Sequence, residues 1–162
     1  MTKQYDIALA KYYDKLKTVS LPLTSWDIFS TPNLEISHYN IIQKNWKSKV
    51  NFREIVYREK REIIITNLNQ EIVFASEGIY KMNGYKPFEL KGKSPKMLQG
   101  ALTCQNSTNN IRKAIQNHLP FKEVILNYKK DGTTYLCEIE VFPKFNNKGV
   151  LVNYIAFERI AS

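Results

Sequence analysis

The spacing of apolar residues along the chain changes near residue 60. Before it, Tyr5, Ala8, Tyr12, Leu16 and Val19 recur at three- and four-residue intervals, which predicts a helix over residues 4–18 with one apolar stripe. Pro22 breaks that rhythm, and from Trp26 to Val50 the pattern is irregular, with a short helix expected at "YNIIQKNWK". Asn51 is placed to cap the turn that follows. After Lys60 the apolar residues cluster and alternate. "REIIITNLNQEIVFAS" predicts two strands joined by a polar turn, and "EGIYKMNGYKPFEL" predicts short helical turns punctuated by Gly84 and Pro87. "NSTNNIRKAIQNH" carries Ile111, Ala114 and Ile115 on one helical face. Three strands then follow, "FKEVILNYKK", "TTYLCEIEVFP" and "VLVNYIAFERI", linked by the turn signals "KDGT" and "FNNKG". The expected architecture is α+β: a five-stranded antiparallel sheet with short helices on one face, and a partly helical N-terminal extension. The extension is expected over residues 1–60 and the sheet domain over 61–162.

Composition narrows the chemistry. With 162 residues, 43% of them hydrophobic, the chain can build one domain with a real core. The start, "MTKQYDIALA", lacks the basic-then-apolar order of a signal peptide, and no apolar run approaches the roughly 20 residues of a membrane-spanning helix. Two cysteines, Cys104 and Cys137, make no disulfide framework and suit a reducing compartment, so a cytoplasmic location is expected. The net charge is +9, yet in "QKNWKSKVNFREIVYREKRE" seven basic residues mix with three glutamates. That reads as a solvated basic surface, or one facing an acidic partner, and nucleic acid is not expected. His38 and His118 are not spaced as metal ligands. No nucleophile, base and orienting group come together in the sequence, so no enzyme is expected.

The runs "IVFASEGIYKMNGYKPFELKGKSPKMLQG" and "NYKKDGTTYLCEIEVFP" resemble a PAS domain, within it the light-oxygen-voltage (LOV) flavin-binding branch, over about residues 61–160. The resemblance implies a PAS fold and a sensory module. In that branch a cysteine in the helical segment attacks the excited flavin. Pro95 stands at the matching position here, so the resemblance implies a module without that photochemistry. It also implies a ligand set for FMN or FAD, bound non-covalently. Gln99, Arg112 and Asn127 match flavin-holding positions, and Lys96 stands where a second phosphate-binding arginine is usual. Ser94 and Cys137 replace ring-edge amides, and Glu158 replaces the glutamine that senses the ring. Each has an ordinary structural alternative: a turn bond for Asn127, a solvated charge for Arg112, a helix end for Gln99, a small buried hydrophobe for Cys137. A protein-interaction or dimerisation scaffold without cofactor, acting through the outer face of the sheet, is the competing expectation, and Phe74, Tyr80, Met97 and Tyr154 are bulky enough to occupy the volume a ring would need.

Strand alternation carries one more expectation. With Asn127, Cys137 and Glu158 toward a pocket, Val124, Leu126, Tyr128, Leu136, Phe142, Ile155 and Phe157 face away from it. Seven apolar residues on an open sheet face need a cover, either the N-terminal helix or a partner such as a second copy in a homodimer. No further domain follows the last strand in this sequence, which favours a stand-alone sensor or adaptor.

Overall fold

The computed structural model describes residues 31–161; the helix expected over 4–18 lies outside them. Helix α1 (Thr31–Ile42) runs into a 3-10 turn (Gln43–Asn45), and a π-helical turn (Glu54–Arg58) leads to β1 (Glu62–Thr66) and β2 (Ile72–Ala75). Helices α2 (Ile79–Asn83) and α3 (Pro87–Leu90), a 3-10 turn (Pro95–Leu98) and α4 (Gln105–Gln116) precede β3 (Phe121–Tyr128), β4 (Thr134–Phe145) and β5 (Leu151–Ile160). The strands form one antiparallel sheet in the order β2-β1-β5-β4-β3. This is the α+β architecture expected. Helix α1 begins earlier than the "YNIIQKNWK" segment suggested and ends within it.

Three short polar motifs close the hairpins. Asn67 Oδ1 accepts from the backbone N–H of Asn69 and Glu71, Asp131 Oδ1 from that of Thr133, and Asn146 Oδ1 from those of Lys148 and Val150. Gly132 and Gly149 take φ of 85° and 77°, the left-handed region that a side chain resists. Asn51 Oδ1 accepts from the N–H of Arg53 at 3.0 Å, as its capping role requires.

The sheet is packed on both faces, on the outer one only in part. On one face Ile64, Ile72, Ile125, Cys137 and Ile139 pack with Ile79, Met82, Leu90 and Leu98 from the connecting helices. On the other face Ile63, Ile65, Phe74, Ile155 and Phe157 pack against Tyr39, Trp46, Phe52 and Ile55. Residues 35–60, expected within the extension, thus belong to the same compact unit as the sheet, Glu35–Ser162. Polar bonds pin this cover. Trp46 Nε1 donates to Asn153 Oδ1 at 2.9 Å, Lys47 N–H to the Phe145 carbonyl at 2.8 Å, and Val50 N–H to Gln43 Oε1 at 2.9 Å.

The apolar outer face therefore divides. Ile155 and Phe157 are buried and Phe142 is half-buried under the cover, so these three are core and not an open interface. Val124 and Leu136 remain 47% and 51% exposed, with Leu126 half-buried beside them. Tyr128 also departs from expectation. Because β3 is the edge strand, its ring turns around the edge to lie against Gly100, and its hydroxyl accepts from Leu102 N–H at 3.0 Å. Between the two halves sits an ion cluster. Buried Arg61 reaches Glu138 at 2.9 Å and Glu140 at 2.6 Å, and Arg159 and Lys122 also engage Glu138, holding its carboxyl well below the usual carboxylate range.

The aromatic cover sets a measurable cost. Phe52 is 3% exposed and contacts Tyr39 and Phe74 at ring-centroid distances of 5.3 and 6.3 Å. Phe52→Ala is expected to lower unfolding free energy by about 3 kcal/mol, read from the urea midpoint at unchanged slope. A change near zero would mean that the cover is not packed as described.

Candidate functional site

The inner face of the sheet and the helices above it enclose a cavity of about 370 Å³. That lies in the range of small-molecule sites, about 300–1,000 Å³. Its roof is the connection from Gly92 to Thr103, tied down at both sheet edges. On the β2 side Gly92 N–H donates to the Ile72 carbonyl at 2.8 Å and Ile72 N–H to the Lys93 carbonyl at 2.9 Å. On the β3 side Thr103 Oγ1 donates to the Leu126 carbonyl at 2.8 Å. Gly100 is required at this second anchor, because a Cβ there would stand 2.5 Å from the Tyr128 ring. Proline at the first position of the 3-10 turn and Ser94 as its cap fix the roof's local shape.

Six of the seven residues singled out in the sequence line this cavity. Ser94, Lys96 and Gln99 come from the roof, Arg112 from α4, Asn127 from β3 and Glu158 from β5. Ile64, Leu98, Ile111, Ile125, Ile139 and Val141 supply apolar walls. Lys96 and Arg112 are exposed, and among the described residues neither forms an ion pair. Asn127 and Glu158 are buried, so the cavity carries solvated cations on its exposed rim and hydrogen-bonding groups at its deep end.

Cys137 does not line the cavity. It is fully buried on β4, and its thiol donates to Glu158 Oε2 at 3.7 Å. Burial, reinforced by the Glu158 charge, pushes the thiol's pKa far up, so it stays protonated. Cys104 is exposed at the start of α4, and among the described residues no cysteine lines the cavity. Phe74 packs on the opposite face and Tyr80 is 51% exposed, so neither occupies the cavity. Met97, within the roof, packs against the core. Tyr154 forms a wall, where its hydroxyl donates to the Ile115 carbonyl at 3.0 Å and meets His118 Nδ1 at 2.8 Å, fastening the end of α4.

Sequence reasoning missed Thr66 and Thr103 in the lining and Asn83 and Tyr135 behind it. The alternation of β1 and β4 carries the signal for Thr66 and Tyr135. Thr103 and Asn83 depend on how the roof and α2 fold back.

Glu158 is the electrostatic centre of the site. Burial pushes its carboxyl up to about 7; the Cys137 hydrogen bond works against the shift and the charge of Glu62, its neighbour in the ladder, adds to it. The folded state thus keeps a proton that the unfolded chain releases in the ordinary carboxylate range. The resulting stability is complete below that range and is lost as pH rises through about 7. Glu158→Gln cannot ionise, so at about pH 8 it should be more stable than the parent by roughly 2–3 kcal/mol, with little difference near pH 4. Urea midpoints across pH test this, and parallel curves for the two proteins would refute it.

Comparison with known proteins places the fold in a family. The PAS domain family model matches residues 61–159. Phototropin-1A of Oryza sativa subsp. japonica is 33% identical over 93 residues, covering 57% of this chain and 10% of that protein. The blue-light-activated histidine kinase of Brucella canis is 31% identical over 108 residues, covering 65% of this chain and 22% of that protein. The chain therefore spans between a tenth and about a fifth of the length of these relatives. Among solved structures, the dark structure of the blue-light photoreceptor Aureochrome1 LOV superposes with a TM-score of 0.64 at 27% identity, covering 72% of this chain and 86% of that one. With the family matched over residues 61–159 and the fold shared with LOV structures, the chain belongs to the PAS domain family.

Proposed function

We propose that this PAS domain is a cytoplasmic sensory module that holds a flavin, FMN or FAD, non-covalently in the cavity beneath the Gly92–Thr103 roof. The observation that carries this is the cavity itself: apolar walls, hydrogen-bonding groups at the deep end and two cations on different elements at its exposed rim. A flavin nucleotide has the matching chemistry, a flat apolar ring with a polar edge and an anionic tail. The resemblance of residues 61–160 to LOV sequences adds the family's own use of these positions.

When bound, the flavin supplies absorption of blue light and reversible electron uptake. The residues of this chain hold and sense it. Arg112 and Lys96 attract the phosphate, the first by a planar fork and the second as a point charge. Gln99 and Asn127 offer amides to the ring edge. Glu158 offers a carboxyl whose proton can leave near neutral pH. Pro95 in the roof brings no thiol, and Cys137 lies behind Glu158, which supports a non-covalent mode.

Titration of the purified protein with FMN and with riboflavin, which lacks the phosphate, tests the assignment. Visible colour and binding are expected, with Arg112→Ala weakening FMN about ten-fold and riboflavin far less. A protein that stays colourless with both FMN and FAD would leave the cofactor-free scaffold.

The exposed Val124 and Leu136 support a second role, docking of a second copy through the β3–β4 half of the outer face. Leu136→Glu should shift sedimentation toward the monomer without changing thermal stability. A parent protein that is monomeric at high concentration would exclude this.

A further inference from the structure

The end of the sheet that carries the β1–β2 and β4–β5 turns gathers cations that the cavity does not use. The Asn153 side chain stitches segments together there: its Oδ1 accepts from Trp46 Nε1 at 2.9 Å and its Nδ2 donates to the Thr66 carbonyl at 3.1 Å. The loop around Trp46 is also joined to the β4–β5 turn, since Trp46 bridges to Asn146 and Lys47 N–H donates to the Phe145 carbonyl at 2.8 Å. Lys44, Lys47 and Lys49 of the loop are thereby brought beside Lys144 and Lys148 of the β4–β5 hairpin. Four of these lysines are exposed, and the half-buried Lys144 donates to the Ser48 carbonyl at 3.3 Å.

No carboxylate answers them. Residues 41–53, 66–70 and 143–153 contain neither aspartate nor glutamate, and among the described residues none of the five lysines forms an ion pair. Glu71, closing the β1–β2 turn, already accepts from Asn67 Nδ2 at 2.8 Å. Toward the opposite end cations are matched, Lys130 by Glu89 and Arg159 by Glu138. The Asn153 end is thus left with an uncompensated positive field. Two aliphatic side chains stand out from its turns, Leu68 at 53% exposure and Val150 at 56%. The aromatic rings are turned in: Trp46 and Tyr154 are buried and Phe145 is half-buried.

We propose that this end of the sheet is a docking surface for an anionic lipid bilayer, with Leu68 and Val150 entering the headgroup region and the five lysines facing the acidic headgroups around them. A bilayer rewards this combination: lysines near the surface gain from its negative potential, and apolar tips gain by leaving water. Nucleic acid rewards a different one. Its single strands stack on exposed rings, which this end keeps inside, and aliphatic tips have no use against a phosphate backbone. Gly149, at φ 77°, and the Asn146 Oδ1 bonds to Lys148 and Val150 hold the second tip in one shape before docking, so little chain has to be ordered on the surface. The surface involves no residue proposed to hold flavin, and it stands whether or not the cavity is filled.

Co-sedimentation of the full chain with vesicles tests this, using phosphatidylcholine alone and an equimolar mixture with phosphatidylserine. Binding to the mixed vesicles alone is expected, falling away as salt rises from about 0.1 M to about 1 M and the screening length drops from about 10 Å to about 3 Å. Lys47→Gln, Lys49→Gln and Lys148→Gln together should weaken it about 100-fold, at about five-fold for each lysine near the surface. Leu68→Ser with Val150→Ser should weaken it about ten-fold and leave the salt dependence in place. Lys60→Gln, Lys81→Gln and Lys86→Gln remove the same charge from exposed positions toward the other end of the sheet, and should cost no more than about five-fold. Equal losses in the two lysine sets would mean that net charge alone binds the vesicles, and would overturn the docking surface. So would equal binding to phosphatidylcholine alone, or no binding to the mixed vesicles. Retention of duplex DNA in that last case would assign the lysines to nucleic acid instead.

Discussion

Burial of both faces of β5 is the constraint on which the rest of the structure depends. The strand lies between β1 and β4, so its backbone is bonded on both sides and its side chains alternate between two covered faces. Tyr154, Ala156 and Glu158 face the cavity, while Ile155 and Phe157 enter the aromatic cluster under residues 39–56. A shift of one residue would exchange the two sets and bury the carboxylate among phenylalanines. The ion cluster of Arg61, Glu138, Glu140 and Arg159 opposes such a shift, since Glu138 and Arg159 are paired across the β4–β5 ladder and Arg61, just before β1, reaches both glutamates of β4.

The same burial gives the site its chemistry. A carboxyl in the centre of a sheet has lost its water, so Glu158 holds its proton toward neutral pH. The thiol beside it is also desolvated and serves as a hydrogen-bond donor, not a nucleophile. The roof from Gly92 to Thr103 completes the enclosure because it is fastened to both edges of the sheet. That fastening also protects the edges, since β2 and β3 would otherwise present unpaired backbone groups.

Much of this was legible in the sequence. The five strands and their turns follow from alternation and from the Asn, Asp and Gly residues between them, which act locally. Ser94, Lys96, Gln99, Arg112, Asn127 and Glu158 could be named together because the resemblance to LOV sequences implies a ligand set at those positions, and all six line the one cavity. The cover of the outer face was not legible. Tyr39, Trp46 and Phe52 lie in an irregular stretch whose role depends on contacts with strands about a hundred residues away, such as Trp46 with Asn153. Tyr128 was assigned to the wrong surroundings because alternation treats every strand as central, whereas an edge strand lets a side chain turn outward and over.

By itself, then, the sequence determined the strand-helix order and the hairpin turns, because these rest on local periodicity and turn chemistry, while the set of polar residues on the inner face came through the resemblance of its motifs to LOV sequences. Only the tertiary structure decided that Phe142, Ile155 and Phe157 are core and that Cys137 stands behind Glu158. Those depend on strand order and on how distant segments fold over the sheet, and desolvation, which sets the carboxyl's proton affinity, exists only once they have done so.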